Sequence, residues 1–264
     1  MQTVTSADGT TIAYERHGEG PPVVLLHGGS GDRHHWDPLA AHLASDCTLV
    51  AADRRGRGDS GDGEQYSLQR EVEDAAALCA AVDGDPVLFG HSFGGLVAFA
   101  TATEASLAGL VLYEPAMLVG EHRGDDLAAR MQQRLDDGDR QAAMRLFLEE
   151  GGGVPDVERL PWWPEEARLD RVETVVRENE AVENYRLPSD PGVDVPTLLL
   201  TGERGPRHLR DAVDALHERL SDSRLVELDG VGHVATQTAP DVVADAVAPF
   251  VRERTAALSG HPDR

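Results

Sequence analysis

Apolar residues recur along this chain in two distinct patterns. Largely apolar runs at 23–26, 47–52, 86–89, 107–113 and 195–201, and the mixed run Arg224-Leu225-Val226-Glu227-Leu228, are short and bounded by Gly, Pro or charged clusters. Runs of that length read as strands buried on both faces. Between them the apolar positions are spaced for helices. Leu68, Val72, Ala75, Ala76, Leu78 and Val82 mark one amphipathic face. Leu96-Val97-Ala98-Phe99-Ala100 begins a second helix, Pro206 opens a third that runs to 220, and 240–258 closes the chain as a fourth, ahead of a frayed tail at 259–264. Residues 3–6 and 11–16 flank an Asp8-Gly9 turn and predict an N-terminal β-hairpin. Strands alternating with helices predict an α/β fold: an open, mostly parallel sheet with helices on both faces and ligands at the strands' C-terminal edge.

The alternation lapses between 117 and 190. Charged helical segments at 123–135, 139–149 and 164–185 are separated by Gly151-Gly152-Gly153 and Pro161-Trp162-Trp163-Pro164, with no strand candidate. This predicts a helical cap of residues 117–190 inserted into a core made of 1–116 and 191–258. Trp162 and Trp163 suit either an apolar pocket under the cap or packing between cap helices.

Composition narrows the picture. A chain of 264 residues with 41% hydrophobic content can bury one large core. No stretch approaches the ~20 apolar residues of a membrane span, and the N-terminus lacks the shape of a signal peptide. A soluble cytoplasmic protein without membrane partners is the expectation. Cys47 and Cys79 have no metal-ligand spacing and read as buried thiols. The net charge of −23 and the absence of a basic face argue against nucleic acid as a partner. All 24 basic residues are arginine. An acidic, lysine-free surface suits high salt, where screening shortens self-repulsion to about 3 Å at 1 M; a GC-rich genome accounts for the missing lysine but for less of the acid excess.

Chemistry concentrates at the ends of the apolar runs. Ser92 lies in Gly90-His91-Ser92-Phe93-Gly94-Gly95, between a strand and a helix. The glycines two residues either side permit a turn sharp enough to expose the hydroxyl at a helix N-terminus, where negative charge is favoured. His27-Gly28-Gly29-Ser30-Gly31 follows another strand and lacks the spacing of a nucleotide loop. It suits an oxyanion site made from the N–H of Gly29 and that of Phe93. His27 reads as a structural hydrogen-bonder; His34, His35 and Trp36 read as a pocket mouth or a half-buried helix start. Arg57-Gly58-Asp59 is loop chemistry, not an adhesion signal. A serine nucleophile needs a base. His233, in the loop Asp229-Gly230-Val231-Gly232-His233 after the last strand, is the best placed of 11 histidines.

Taken together, His27-Gly28-Gly29, the segment from Asp53 to Ser60 (DRRGRGDS), Gly90–Gly95 and Gly232-His233 resemble the α/β-hydrolase superfamily, in particular its small capped serine hydrolases. The resemblance spans nearly the whole chain. It implies a Ser–acid–His triad, with Ser92 attacking an acyl carbon and His233 shuttling the proton. A serine at that position argues against haloalkane dehalogenase and epoxide hydrolase chemistry. One departure stands out: Gly202-Glu203-Arg204-Gly205-Pro206 has glycine where relatives usually carry the aspartate. Glu114, after the preceding strand, is the favoured acid; Glu203 is the alternative, and a Ser–His dyad a third possibility. The expected activity is hydrolysis of a small or medium carboxylic ester or lactone, with no cofactor and no metal. C–C bond hydrolysis, thioester cleavage, acyl transfer or a lyase step at the same site, and a non-enzymatic small-molecule receptor, are the alternatives.

If the acidic surface is a salt adaptation, molar KCl raises the unfolding temperature. A melting curve in 0–3 M KCl checks this, and a fall in Tm with salt removes the idea.

Overall fold

The computed structural model describes residues 1–124 and 126–259, with side chains of the final helix through Thr255. Eight strands form one sheet: β1 (Gln2–Thr5), β2 (Thr11–His17), β3 (Pro22–Leu26), β4 (Thr48–Ala52), β5 (Val87–His91), β6 (Gly109–Tyr113), β7 (Thr197–Gly202) and β8 (Ser223–Leu228). Around them lie α1 (Asp37–Leu43), α2 (Leu68–Ala80), α3 (Phe93–Thr101), α4 (Leu127–Asp136), α5 (Arg140–Leu146), α6 (Val172–Asn184), α7 (Arg207–His217), α8 (Ala235–Thr238) and α9 (Pro240–Ser259). Ser259 thus belongs to the last helix, and the tail beyond it, residues 260–264, lies outside the described residues.

The strand order is β1-β2-β4-β3-β5-β6-β7-β8. β1 and β2 pair antiparallel as the expected hairpin, β2 joins β4 antiparallel, and every other pairing is parallel. The chain steps outward from β3 to β4 and returns to the other side of β3 as β5. That reversal opens a crevice beyond the carboxyl ends of β3 and β5, the place where such sheets bind ligands. The loop after β3 and the turn after β5 carry Gly29 and Ser92.

Alternate side chains of each central strand enter opposite cores, as the two-residue repeat of a strand requires. Val24, Leu26, Leu88, Leu110, Leu112 and Leu199 pack on one face with α2, α3 and α7. Val23, Leu25, Val87, Phe89, Val111, Leu198 and Leu200 pack on the other with α1 and α9. α2 shows the expected stripe; Ser67 caps it by accepting from the Arg70 N–H. α3 is apolar all round because it is buried all round. Its close approach to the sheet depends on two glycines: a Cβ on Gly94 would overlap the Leu26 carbonyl, and one on Gly90 would overlap Gly94.

Between β6 and β7 the chain is helical, as the lapse in the strand pattern predicts. Leu127 and Met131 of α4, Met144 of α5 and Val172, Val175 and Val176 of α6 form a separate apolar cluster. Trp162 and Trp163 pack against that cluster, which settles on inter-helix packing the two uses their sequence left open. The helices are shorter than their periodicity suggests. The first starts at Leu127, after Gly124. The second gives way at Phe147 to a wider π turn, Phe147–Gly151. The third starts only at Val172, because 157–171 is taken by turns that include left-handed Arg168. No helix among the described residues is long and apolar enough to cross a membrane.

Candidate active site

Ser92 occupies the turn between β5 and α3 at φ 56° and ψ −122°, a strained conformation for a residue with a Cβ. The turn is held from both sides: the Ser92 N–H donates to the Tyr113 carbonyl at 3.0 Å, and the Ala116 N–H donates to the Ser92 carbonyl at 2.9 Å. Because His91 is paired with Tyr113 across β5 and β6, the residue after each strand emerges at the same level. Those residues are Ser92 and Glu114. Glu114 is also at positive φ, 44°.

Glu114 is fully buried and its carboxylate is fully engaged. Oε1 accepts from the Gly202 N–H at 2.8 Å and the Thr201 hydroxyl at 3.0 Å; Oε2 is 2.7 Å from His233 Nδ1. A Cβ on Gly205 would overlap Glu114 Oε1. The glycine that departs from the resembled pattern is therefore the space that this carboxylate fills. Glu203 points elsewhere: it is exposed, and its Oε2 accepts from the Gly230 N–H at 2.8 Å. Of the two acids read from the sequence, the fold brings Glu114 and not Glu203 to His233.

With Nδ1–H directed at a carboxylate, the Nε2 of His233 is the nitrogen left to face the cavity that His233 and Ser92 both line. Two buried groups fix the loop. Tyr113 donates its hydroxyl hydrogen bond to the Gly232 carbonyl, and His91 Nε2 donates to the His233 carbonyl at 2.8 Å. The His91 ring lies between the rings of His35 and His233, with centroids 5.0 and 4.6 Å away. His35 and Trp36 are buried in a 3₁₀ turn while His34 is exposed. His34 and His35 also line the cavity, so both uses foreseen for this segment are realised. Burial favours the neutral rings of His27, His35 and His91, holding all three below the usual histidine value, with His35 at about 4.

The loop carrying Gly29 rests on buried charge. His27 Nδ1 donates to the Gly28 carbonyl at 2.8 Å and its Nε2 accepts from the Arg54 N–H, the structural role expected of it. Arg54 donates through Nε to the His27 carbonyl and through Nη2 to the Gly28 carbonyl; Arg57 donates to the Gly29 carbonyl. In a trans peptide the Gly29 N–H points opposite the Gly28 carbonyl, so pinning that carbonyl aims the N–H. The Phe93 N–H, first in α3, has no intrahelical acceptor. Arg57 is buried, which rules out display of an adhesion tripeptide.

These guanidiniums are balanced by two buried carboxylates. Arg54 donates to Glu71 and to Glu178, each at 2.9 Å, and Arg57 donates to the same Glu178 Oε1 at 2.9 Å. Burial pushes Glu178 above the usual carboxylate range while Arg54 and Arg57 pull it back. The sequence does not single out Arg54, Arg57, His91, Phe147 or Glu178 for the site. For Glu178 a signal exists: it is three residues after Val175 and four before Val182, so a charge interrupts the buried stripe of α6.

Two cavities meet at the serine. One, about 340 Å³, is lined by Phe93, Met117, Leu118, Leu127, Val182 and Glu178; the other, about 320 Å³, by His35, His91, His233, Val234, Gln237 and Arg171. Gly29, Ser92, Phe147 and Gly151 line both. Cys47 and Cys79 are free and buried away from either.

Comparison with known proteins agrees with the fold. The family described as "Alpha/beta hydrolase family" matches residues 23–246. An alpha/beta hydrolase from Sphaerobacter thermophilus superposes with a TM-score of 0.83 at 34% identity, over 94% of this chain and 99% of that one. Lipase LipV from Mycobacterium tuberculosis is 29% identical over 88% of this chain and 95% of its own. Protein phosphatase methylesterase 1 from Bos taurus is 35% identical over 116 residues, 40% of this chain and 30% of that protein. The match spans about a third of the length of the curated relatives aligned over such short stretches.

As pH falls from about 6.5 to about 4, the unfolded chain takes up a proton at His35 that the folded chain refuses. The stability contributed by the neutral ring is thus present above pH 6.5 and lost across that window. His35→Gln is expected to make the fall of Tm with pH shallower there, removing a loss of about 3 kcal/mol by pH 4. An unchanged Tm–pH slope would contradict it.

Proposed function

The chain belongs to the alpha/beta hydrolase family, and from that premise we propose that it is a serine carboxylic-ester hydrolase acting on small or medium esters or lactones. One observation carries the reading: a buried carboxylate 2.7 Å from His233, beside a serine on a strained strand-to-helix turn. Ser92 Oγ attacks the acyl carbon as His233 Nε2 takes its proton, and Glu114 stabilises the imidazolium that forms. The Gly29 and Phe93 N–H groups receive the oxyanion. Collapse breaks the bond to the alkoxy group, which leaves with the proton returned by His233. Water, deprotonated by the same nitrogen, then releases the acid and regenerates Ser92.

The two cavities take different halves of the substrate. Because His233 must protonate the leaving oxygen, the leaving group occupies the cavity that His233 lines. The acyl group occupies the cavity beyond Phe93, under residues 117–190 acting as the cap. Phe147 divides them. LipV and the methylesterase are named for ester cleavage, which fits this reading.

Hydrolysis of p-nitrophenyl esters from acetate to dodecanoate tests it. Ser92→Ala is expected to lower kcat at least about a thousandfold with Tm unchanged; activity near wild type in that variant would sink the mechanism. Glu114→Gln is expected to lower kcat by about 10³–10⁴-fold, since the amide no longer holds the correct tautomer or balances the imidazolium. Glu203→Gln stays close to wild type. Equal, small losses in the two variants would return the acid to the open alternatives.

A further inference from the structure

Glu178 has one oxygen committed and one idle. Oε1 accepts from both Arg54 and Arg57, whereas Oε2 is buried with no hydrogen-bond partner. The side chain is 1% exposed and meets solvent only through the cavity it lines. An unpaired carboxylate oxygen in such a place is costly and calls for a partner. Its position says where the partner comes from. Oε2 lies 3.3 Å from where a Cβ on Gly29 would be, and Phe147 crowds the same point. Gly29 is the residue whose N–H faces the oxyanion in the reading above, and Glu178 lines the cavity assigned to the acyl group.

We infer that Glu178 Oε2 is a specificity group that accepts a hydrogen bond from a hydroxyl on the acyl chain, at C2 or C3 from the scissile carbonyl, so that the substrates are esters of short hydroxy acids. The inference rests on the ester-hydrolase reading and deepens it. Oε1 is held by two guanidiniums and cannot turn toward the substrate, which leaves Oε2 to do so. A hydroxyl donates to Oε2. A methyl ether of the same length cannot, and an unsubstituted chain leaves the oxygen orphaned while excluding water from it. Sites that hydrogen-bond a substrate hydroxyl reject analogues lacking it for this reason.

The substitution Glu178→Gln separates this role from a structural one. The amide oxygen must take the place of Oε1, because only an acceptor suits Arg54 and Arg57; the NH₂ group then stands where Oε2 was and can only donate. Purified protein is assayed with p-nitrophenyl butanoate, its 2-hydroxy and 3-hydroxy derivatives and the matching methoxy compounds. For wild type, kcat/KM for at least one hydroxy ester is expected to exceed both its unsubstituted and its methoxy counterpart by about tenfold or more. In Glu178→Gln the hydroxy-to-methoxy ratio is expected to fall to near one. Glu71→Gln disturbs the same arginine without touching the cavity, and is expected to keep the wild-type ratio even if all rates drop. A wild-type ratio near one for both positions, with butanoate turned over, overturns the inference and leaves the ester-hydrolase reading standing. A ratio that is high but equal in wild type and Glu178→Gln overturns it too. No turnover of any ester overturns both.

Discussion

Four charges with no access to bulk water, Arg54, Arg57, Glu71 and Glu178, hold the reactive edge of this molecule together. Taking charge out of water is expensive, and opposite charges and hydrogen bonds must offset the cost. Here the two guanidiniums spend their remaining hydrogens on the carbonyls of His27, Gly28 and Gly29. The backbone of the β3 loop is thereby fixed by electrostatics and not by loop length. Since Glu178 comes from the helical insertion and Glu71 from the core, the same cluster ties the insertion to the sheet.

The wall opposite is built from uncharged parts. His91, His35 and Tyr113 surround the loop of His233 with rings and two carbonyl hydrogen bonds, and their burial keeps the imidazoles neutral. A positive ring there would repel the imidazolium that the proposed mechanism forms at His233. The serine turn lies between a charged wall and a neutral one. In the proposed mechanism each would serve a different moment: the first aims donors at negative charge, and the second leaves room for positive charge.

Much of this was legible in the chain. Strands and core helices follow from runs and periodicity, and Ser92, Gly29, Glu114 and His233 follow from glycine-bounded segments after strands. Those signals are local, so sequence carries them. Glu178 and Phe147 are not local in this sense. They lie in an insertion whose helices are charged on most faces, and their approach to Gly29 depends on how α6 and the π turn pack. The helices of the insertion are shorter than their periodicity for the same reason: the left-handed residues and wide turn that break them are set by packing, not by propensity. The choice between Glu114 and Glu203 also turned on geometry, namely which carboxylate the sheet register lifts to the level of His233.

Gly205 limits what this chain can place beside its buried carboxylate. Even a methyl group at 205 would overlap Glu114 Oε1, so any side chain there and Glu114 compete for one small space. With an aspartate, like charge would add to the clash of bulk. A carboxylate at 114 in this position and a side chain at 205 are alternatives, and the absent side chain is as much a part of the arrangement as the groups that are present.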